Sequence, residues 1–200
     1  MPTKHVVKKY TIPAYYHIYN RASGERLLFR DDEDRAYFLN LIQKHLIEND
    51  DQSDEDPKRF EVEVIAYCLM GTHFHLLLYQ EVDPLAISGF MRSLGTTYSM
   101  YYNRKYKSKG HVFQSSFRAS HVGNESYLAH ITRYIHLNPR QYHAWKWSSY
   151  REYVGERDTP WVHADRLVDI DSEKYREFMR EYSSQDLRKQ KSELSKYLAF

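Results

Sequence analysis

The chain is poor in cysteine, has no long apolar run, and over one long stretch carries no acid at all. Cys68 is the only cysteine in 200 residues, which excludes a disulfide framework within the chain and fits a reducing, cytoplasmic setting. No segment approaches eighteen consecutive apolar residues, and MPTKHVVKKYTIPAYY lacks an uninterrupted apolar stretch, so neither a membrane span nor a signal peptide is expected. There is no HExxH helix and no CxxC pair, which leaves a zincin or a zinc finger without support. Asp and Glu are absent from Pro84 to Asn124, while Arg92, Arg104, Lys105, Lys107, Lys109 and Arg118 fall there. Acid collects instead in Asp31-Asp-Glu-Asp34 and between Glu48 and Asp56. A formal charge of +2 therefore hides segregated signs, a pattern suited to one face that meets a polyanion. By charge alone, a solvated basic loop would read the same way.

What is abundant is aromatic: 19 tyrosines raise the aromatic share to 16 %, enough to supply a core and stacking surfaces together. Length favours one domain with a substantial core. Ala14 to Asn20 is aromatic and β-branched, as a strand would be. Asp32 to Glu48 has apolar residues at Tyr37, Phe38, Leu41, Ile42 and Leu46, a helical spacing behind an acidic first turn. The polar segment 48–59 reads as a solvated loop. Phe60 to Cys68 reads as a strand, Gly71-Thr72 as a hairpin turn and 73–79 as the returning strand. Pro84 opens a second helix running to about Arg104, Phe117 to Val122 forms a short strand, and Glu125 to Leu137 forms a third helix ended by Asn138-Pro139. This order predicts an α+β fold of the ferredoxin-like, split β-α-β kind, with helices packed on an antiparallel sheet. Residues 1–150 form that domain in this reading. Residues 151–200 form a helical extension, with helices over Ser172–Tyr182 and Asp186–Leu198.

Two places carry residues suited to chemistry. In Gly71-Thr-His-Phe-His-Leu-Leu-Leu-Tyr79, a period of two projects His73 and His75 with Leu77 to one face, and Phe74, Leu76 and Leu78 to the other. Adjacent imidazoles can share a divalent metal but need a further ligand; the competing reading is a polar pair on an exposed sheet face. On the third helix Tyr134 and Asn138 are four apart and share a side, with His130 one turn earlier. A phenol can attack phosphorus, though its ordinary pKa near 10 makes it weak at neutral pH without help from a cation. Taken singly, Tyr134 reads equally as a core aromatic and Asn138 as a helix-ending residue.

Together, a His-hydrophobe-His strand and a single tyrosine on a later helix resemble the HUH endonuclease superfamily. The likeness is to its IS200-like single-tyrosine transposases, and among them to the REP-associated tyrosine transposases. It extends over about residues 14–150, through Tyr16-His-Ile-Tyr-Asn-Arg21, Tyr67-Cys-Leu-Met-Gly-Thr-His-Phe-His-Leu-Leu-Leu78, Gly110-His-Val-Phe-Gln-Ser-Ser-Phe-Arg118, Arg133-Tyr-Ile-His-Leu-Asn-Pro139 and Trp147-Ser-Ser-Tyr150. The resemblance implies that His73, His75 and Asn138 ligate Mg²⁺ or Mn²⁺ and that Tyr134 is the nucleophile. It would cut single-stranded DNA beside an imperfect hairpin, leaving a 5′-phosphotyrosine link and a free 3′-OH. Arg21, Arg104, Lys105 and Arg118 are the expected phosphate contacts. The chain has Gly71-Thr72 where this class usually has Pro-Asn, a different turn before the same histidines. His130 is a candidate to approach the metal or the phenol, and His136, pointing away from Tyr134, is expected at the surface or facing DNA. Two rivals remain at this level: a domesticated protein that binds structured DNA without cutting it, and a metal hydrolase with a water nucleophile. Monomer and homodimer are both open.

Overall fold

The computed structural model describes residues 10–46, 59–123, 127–167 and 171–181. The expected acidic loop at 48–59 and the helix at 186–198 lie almost wholly and wholly, respectively, outside the described residues. Four strands, β1 (Ala14–Arg21), β2 (Glu63–Leu69), β3 (His73–Gln80) and β4 (Arg118–Val122), form one sheet in the order β2-β3-β1-β4, with every neighbour antiparallel. Helix α1 (Asp32–Leu46) links β1 to β2, α2 (Ala86–Lys105) links β3 to β4, and α3 (Leu128–His136) follows β4. This is the α+β, split β-α-β arrangement that the pattern of elements predicts. Among the described residues no helix is long and apolar enough to cross a membrane.

Each face of the sheet has its own core, and the alternation of β3 decides which residue enters which. Phe74, Leu76 and Leu78 point with Tyr16 and Ile18 into a core closed by Phe38 and Ile42 of α1 and Phe90, Leu94 and Tyr98 of α2. Leu77 points the other way, with Tyr15 and Cys68, into a core closed by Ile131 and Ile135 of α3. A bulge inserts Ile65 between Val64, which faces Leu78, and Ala66, which faces Leu77. Ile65 and Ala66 consequently both serve the α3 side.

Local signals explain the element ends. Asp31 Oδ1 accepts the Asp34 N–H at 2.9 Å and starts α1, whose acidic first turn suits the positive end of its dipole. Helix α2 begins two residues after Pro84 because the Leu85 N–H is taken by Asp83 Oδ1 and the Ile87 N–H by Gln80 Oε1. The turn Met70-Gly-Thr72 is held by its neighbours: Gly71 O accepts from the N–H groups of Leu28 and Phe29, and Thr72 O from that of Ala22. Beyond residue 150, α4 (Tyr150–Tyr153) and α5 (Ser172–Arg180) complete the second core, where Tyr150, Tyr153, Tyr175 and Met179 are buried with α3. The Asp171 side chain caps α5 by accepting the Lys174 N–H at 2.9 Å.

Candidate active site

Strand pairing assembles the site. On β1 and β3, Tyr19 lies opposite His75, Arg21 opposite His73, and His17 opposite Leu77, so all six share the α3 side of the sheet. On the other edge of β1, Arg118 of β4 lies opposite Tyr19, with its guanidinium carbon 5.6 Å from that ring's centre. Helix α3 lies across this face because Leu128, Ile131 and Ile135 enter the second core, and this brings Tyr134 down onto the imidazoles. The Tyr134 ring stands edge-on to two of them, 5.6 Å from His75 at 82° and 5.8 Å from His17 at 90°. The strand pair and the helix residue, separate signals in the sequence, form one site.

The two β3 imidazoles each make a contact at Nδ1. His75 Nδ1 lies 2.9 Å from His17 Nε2, and the two rings are parallel to within 9° at 5.1 Å. His73 Nδ1 lies 3.0 Å from Thr72 Oγ1, and its ring is turned 88° to that of His75. His17 is fully buried, which depresses its pKa to about 4 and keeps it neutral at pH 7. Burial, and secondarily Tyr19, raises the pKa of Tyr134, so its phenol is protonated at neutral pH. Asn138, half-buried just past α3, donates from Nδ2 to Tyr134 O at 2.8 Å and Ile135 O at 3.4 Å, and so ends the helix. The amide nitrogen is thus committed to the end of the helix.

Among the described residues no three His, Cys, Asp or Glu side chains gather to hold a metal. A cation between the two β3 imidazoles would need further ligands, from Asn138, water or substrate.

The expected phosphate contacts divide. Arg21 is exposed at the His73 end of β1, and Arg118 sits at Tyr19, both on the face of the imidazoles. Arg104 is exposed but belongs to α2, which packs on the opposite face. Lys105 requires correction. Its ammonium bonds Asp31 at 3.0 Å, Glu33 at 3.0 Å and Asp34 at 2.8 Å, joining the end of α2 to the start of α1. Burial opposes its charge, but the bonds to Asp34 and Asp31 outweigh that and raise its pKa. Its charge is met within the protein and not held for a phosphate.

Two histidine expectations are also corrected. His136 is neither at the surface nor facing DNA; it is fully buried, with Nδ1 2.7 Å from Tyr175 Oη and Nε2 2.8 Å from Ser149 Oγ. Helix α3 is sandwiched between the sheet and α5, so the side away from Tyr134 is covered too. His130 turns to the extension, with Nδ1 2.9 Å from an Arg133 nitrogen and its ring against Phe178. The residue that the linear pattern does not single out is His17. Alternation in AYYHIYNR places it with Tyr15 and Tyr19 on one face, but only the register with β3 brings it to His75.

Comparison with known proteins agrees with this geometry. The family model described as "Transposase IS200 like" matches residues 13–138, more than half of the chain, from the start of β1 through Asn138. Among the solved structures similar to it is a REP-associated tyrosine transposase bound to a REP hairpin. The two share 16 % identity with a TM-score of 0.57, over 82 % of this chain and 92 % of the other. No curated protein sequence matches the chain. The family match spans every strand of the sheet and both halves of the site, and the chain belongs to the IS200-like transposase family.

Proposed function

We propose that this transposase cleaves and rejoins single-stranded DNA beside hairpin repeats, with Tyr134 as the nucleophile and His73, His75 and Asn138 as ligands for Mg²⁺ or Mn²⁺. The observation that carries this reading is the Tyr134 ring placed edge-on against His75, 5.6 Å away. A buried core tyrosine has no need of a histidine-lined partner face. The phenol oxygen attacks the phosphorus, the bond from phosphorus to the 3′ oxygen breaks, and that oxygen departs as a 3′-OH. The DNA's 5′ phosphate is then esterified to Tyr134. A 3′-OH attacking the same phosphorus reverses the exchange, so strands rejoin without an external energy source. A bound divalent ion supplies Lewis-acid polarisation of the phosphate and favours the ionised phenol. Arg21 and Arg118, on the same face, are placed to neutralise the phosphates that flank the reacting one.

Hairpin DNA is the proposed partner because a protein of similar fold was solved with a REP hairpin, and because this chain offers acid-free surface for a strand. A groove of about 1280 Å³ between α2 and the segment 110–117 has no Asp or Glu in its lining; Asn20, Arg92, Ser99, Asn103, His111 and Gln114 line part of it. We assign phosphate contact to Arg104 on the same ground, since it is exposed on that helix.

Incubation of a labelled hairpin oligonucleotide bearing a single-stranded extension, with Mn²⁺ or with a chelator, tests the reading. Cleavage with Mn²⁺, lost with chelator and in Tyr134→Phe, is expected. Cleavage surviving Tyr134→Phe would point to a water nucleophile, and binding without any cleavage to a domesticated DNA-binding protein; either result overturns the proposal.

A further inference from the structure

We infer that His17 is a positioning residue that fixes which nitrogen of His75 carries the proton, and thereby which nitrogen is presented to a cation. The inference rests on the proposed role of His75 as a metal ligand. A nitrogen that binds a metal must offer a lone pair, so the ring's proton has to sit on its other nitrogen. His75 Nδ1 is the nitrogen that meets His17, at 2.9 Å from its Nε2. The metal-binding form of His75 therefore donates from Nδ1 to His17 Nε2 and offers Nε2 to the cation. An unconstrained neutral imidazole prefers the proton on Nε2, the form with the wrong nitrogen blocked. With its own proton on Nδ1, His17 accepts at Nε2 and reverses that preference.

The same contact also sets the plane of the ring. His17 lies edge to edge with His75 through this contact, their planes within 9° of each other, and the Tyr19 ring lies 5.9 Å from His75 at 26°. Accepting at Nε2 places the proton of His17 on Nδ1, which is buried and has no hydrogen-bond partner among the described residues, a cost that mere filling would not carry. Phenylalanine would fill the space without that cost. Metal-bound histidines commonly lean on a carboxylate or a carbonyl for this purpose; here a second histidine, delivered by strand register, takes that place.

Two variants and two readouts test the inference. His17→Phe keeps an aromatic ring but removes the acceptor, whereas His17→Gln carries an amide oxygen that reaches about as far as the imidazole Nε2. Nitrogen-15 NMR of the His75 ring in metal-free protein is expected to show the proton on Nδ1 in the wild type and in His17→Gln. In His17→Phe it should move wholly or partly to Nε2. Mn²⁺ affinity, followed by electron paramagnetic resonance, should fall about 10- to 100-fold in His17→Phe and recover to within a few-fold in His17→Gln. A wild-type His75 protonated on Nε2 would overturn the inference, as would a His17→Phe protein unchanged in both readouts. Should His17→Phe not fold, the wild-type and His17→Gln spectra decide alone. His75→Ala separates this inference from the metal reading beneath it. If that variant holds Mn²⁺ as tightly as the wild type, His75 is not a ligand, while the proton position in the wild type still decides the role of His17.

Discussion

Tyr134 and His75, one on α3 and the other on β3, meet edge to face at 5.6 Å with 82° between their rings. The contact places a phenol against the face that bears both β3 imidazoles, within a wall of Ile131, Ile135 and Leu77. Burial raises the phenol's pKa, so on the proposed reading it is a poor nucleophile until a cation activates it. Replacing His73 or His75 by Ala should therefore lower cleavage by about 10²-fold or more, the scale of several kcal/mol of lost Lewis-acid assistance. Hairpin affinity, which depends on phosphate contacts elsewhere, should change only a few-fold. Parallel cleavage and gel-shift assays on each variant check the split.

The two kinds of basic residue should separate in binding assays. Arg21→Ala and Arg118→Ala remove cations on the imidazole face, so each should weaken oligonucleotide binding and reduce the salt dependence by about one counterion. Lys105→Met should leave binding near wild type and lower stability instead. It strips a cation from the Asp34 carboxylate, whose side chain is fully buried, at a cost of about 1–3 kcal/mol. Salt-series titrations and urea melts distinguish the two outcomes.

Acid should destabilise the fold through His136. The neutral ring satisfies Tyr175 and Ser149, and burial depresses its pKa from 6.5 to about 3. Below pH 6.5 the unfolded chain takes up a proton that the folded chain refuses. The stability this group contributes is full above pH 6.5 and is lost as pH falls towards about 3, at up to about 1.4 kcal/mol per pH unit. Urea midpoints at pH 7 and pH 5 should show the drop, and His136→Leu should be weaker at pH 7 yet shallower in its pH dependence.

The extension supports the helix that carries Tyr134. Arg133, buried on α3, donates to Phe178 O at 3.0 Å and lies 3.7 Å from the centre of that ring, while Tyr175 is almost wholly buried beside it. Tyr175→Ala should cost about 3–5 kcal/mol by leaving a cavity. At a temperature where the variant is still folded, cleavage should drop more than hairpin binding, because the loosened element is α3. Thermal melts run beside both assays would show it.

Much of this was legible in residue order. The period of two on β3 separates Phe74, Leu76 and Leu78 from His73, His75 and Leu77, and the structure keeps that division. Asn138 ends the helix as its place before Pro139 suggests: it lies just past α3 and bonds the Tyr134 and Ile135 carbonyls. What stayed hidden depended on distant partners. Strand register, not spacing, makes His17 the neighbour of His75. A basic run says nothing of the three carboxylates, some seventy positions earlier in the chain, that engage Lys105. Helical angle places His136 away from Tyr134 but cannot reveal that α5 covers that side.

The central claim is that Tyr134 forms the covalent link to DNA. Mass spectrometry of the digested protein, after reaction with a hairpin oligonucleotide in Mn²⁺, tests it most directly. A nucleotide joined through its 5′ phosphate to the peptide containing Tyr134 is expected, and no such species in Tyr134→Phe. Cleaved DNA with no protein adduct, or an adduct on any other residue, would contradict it.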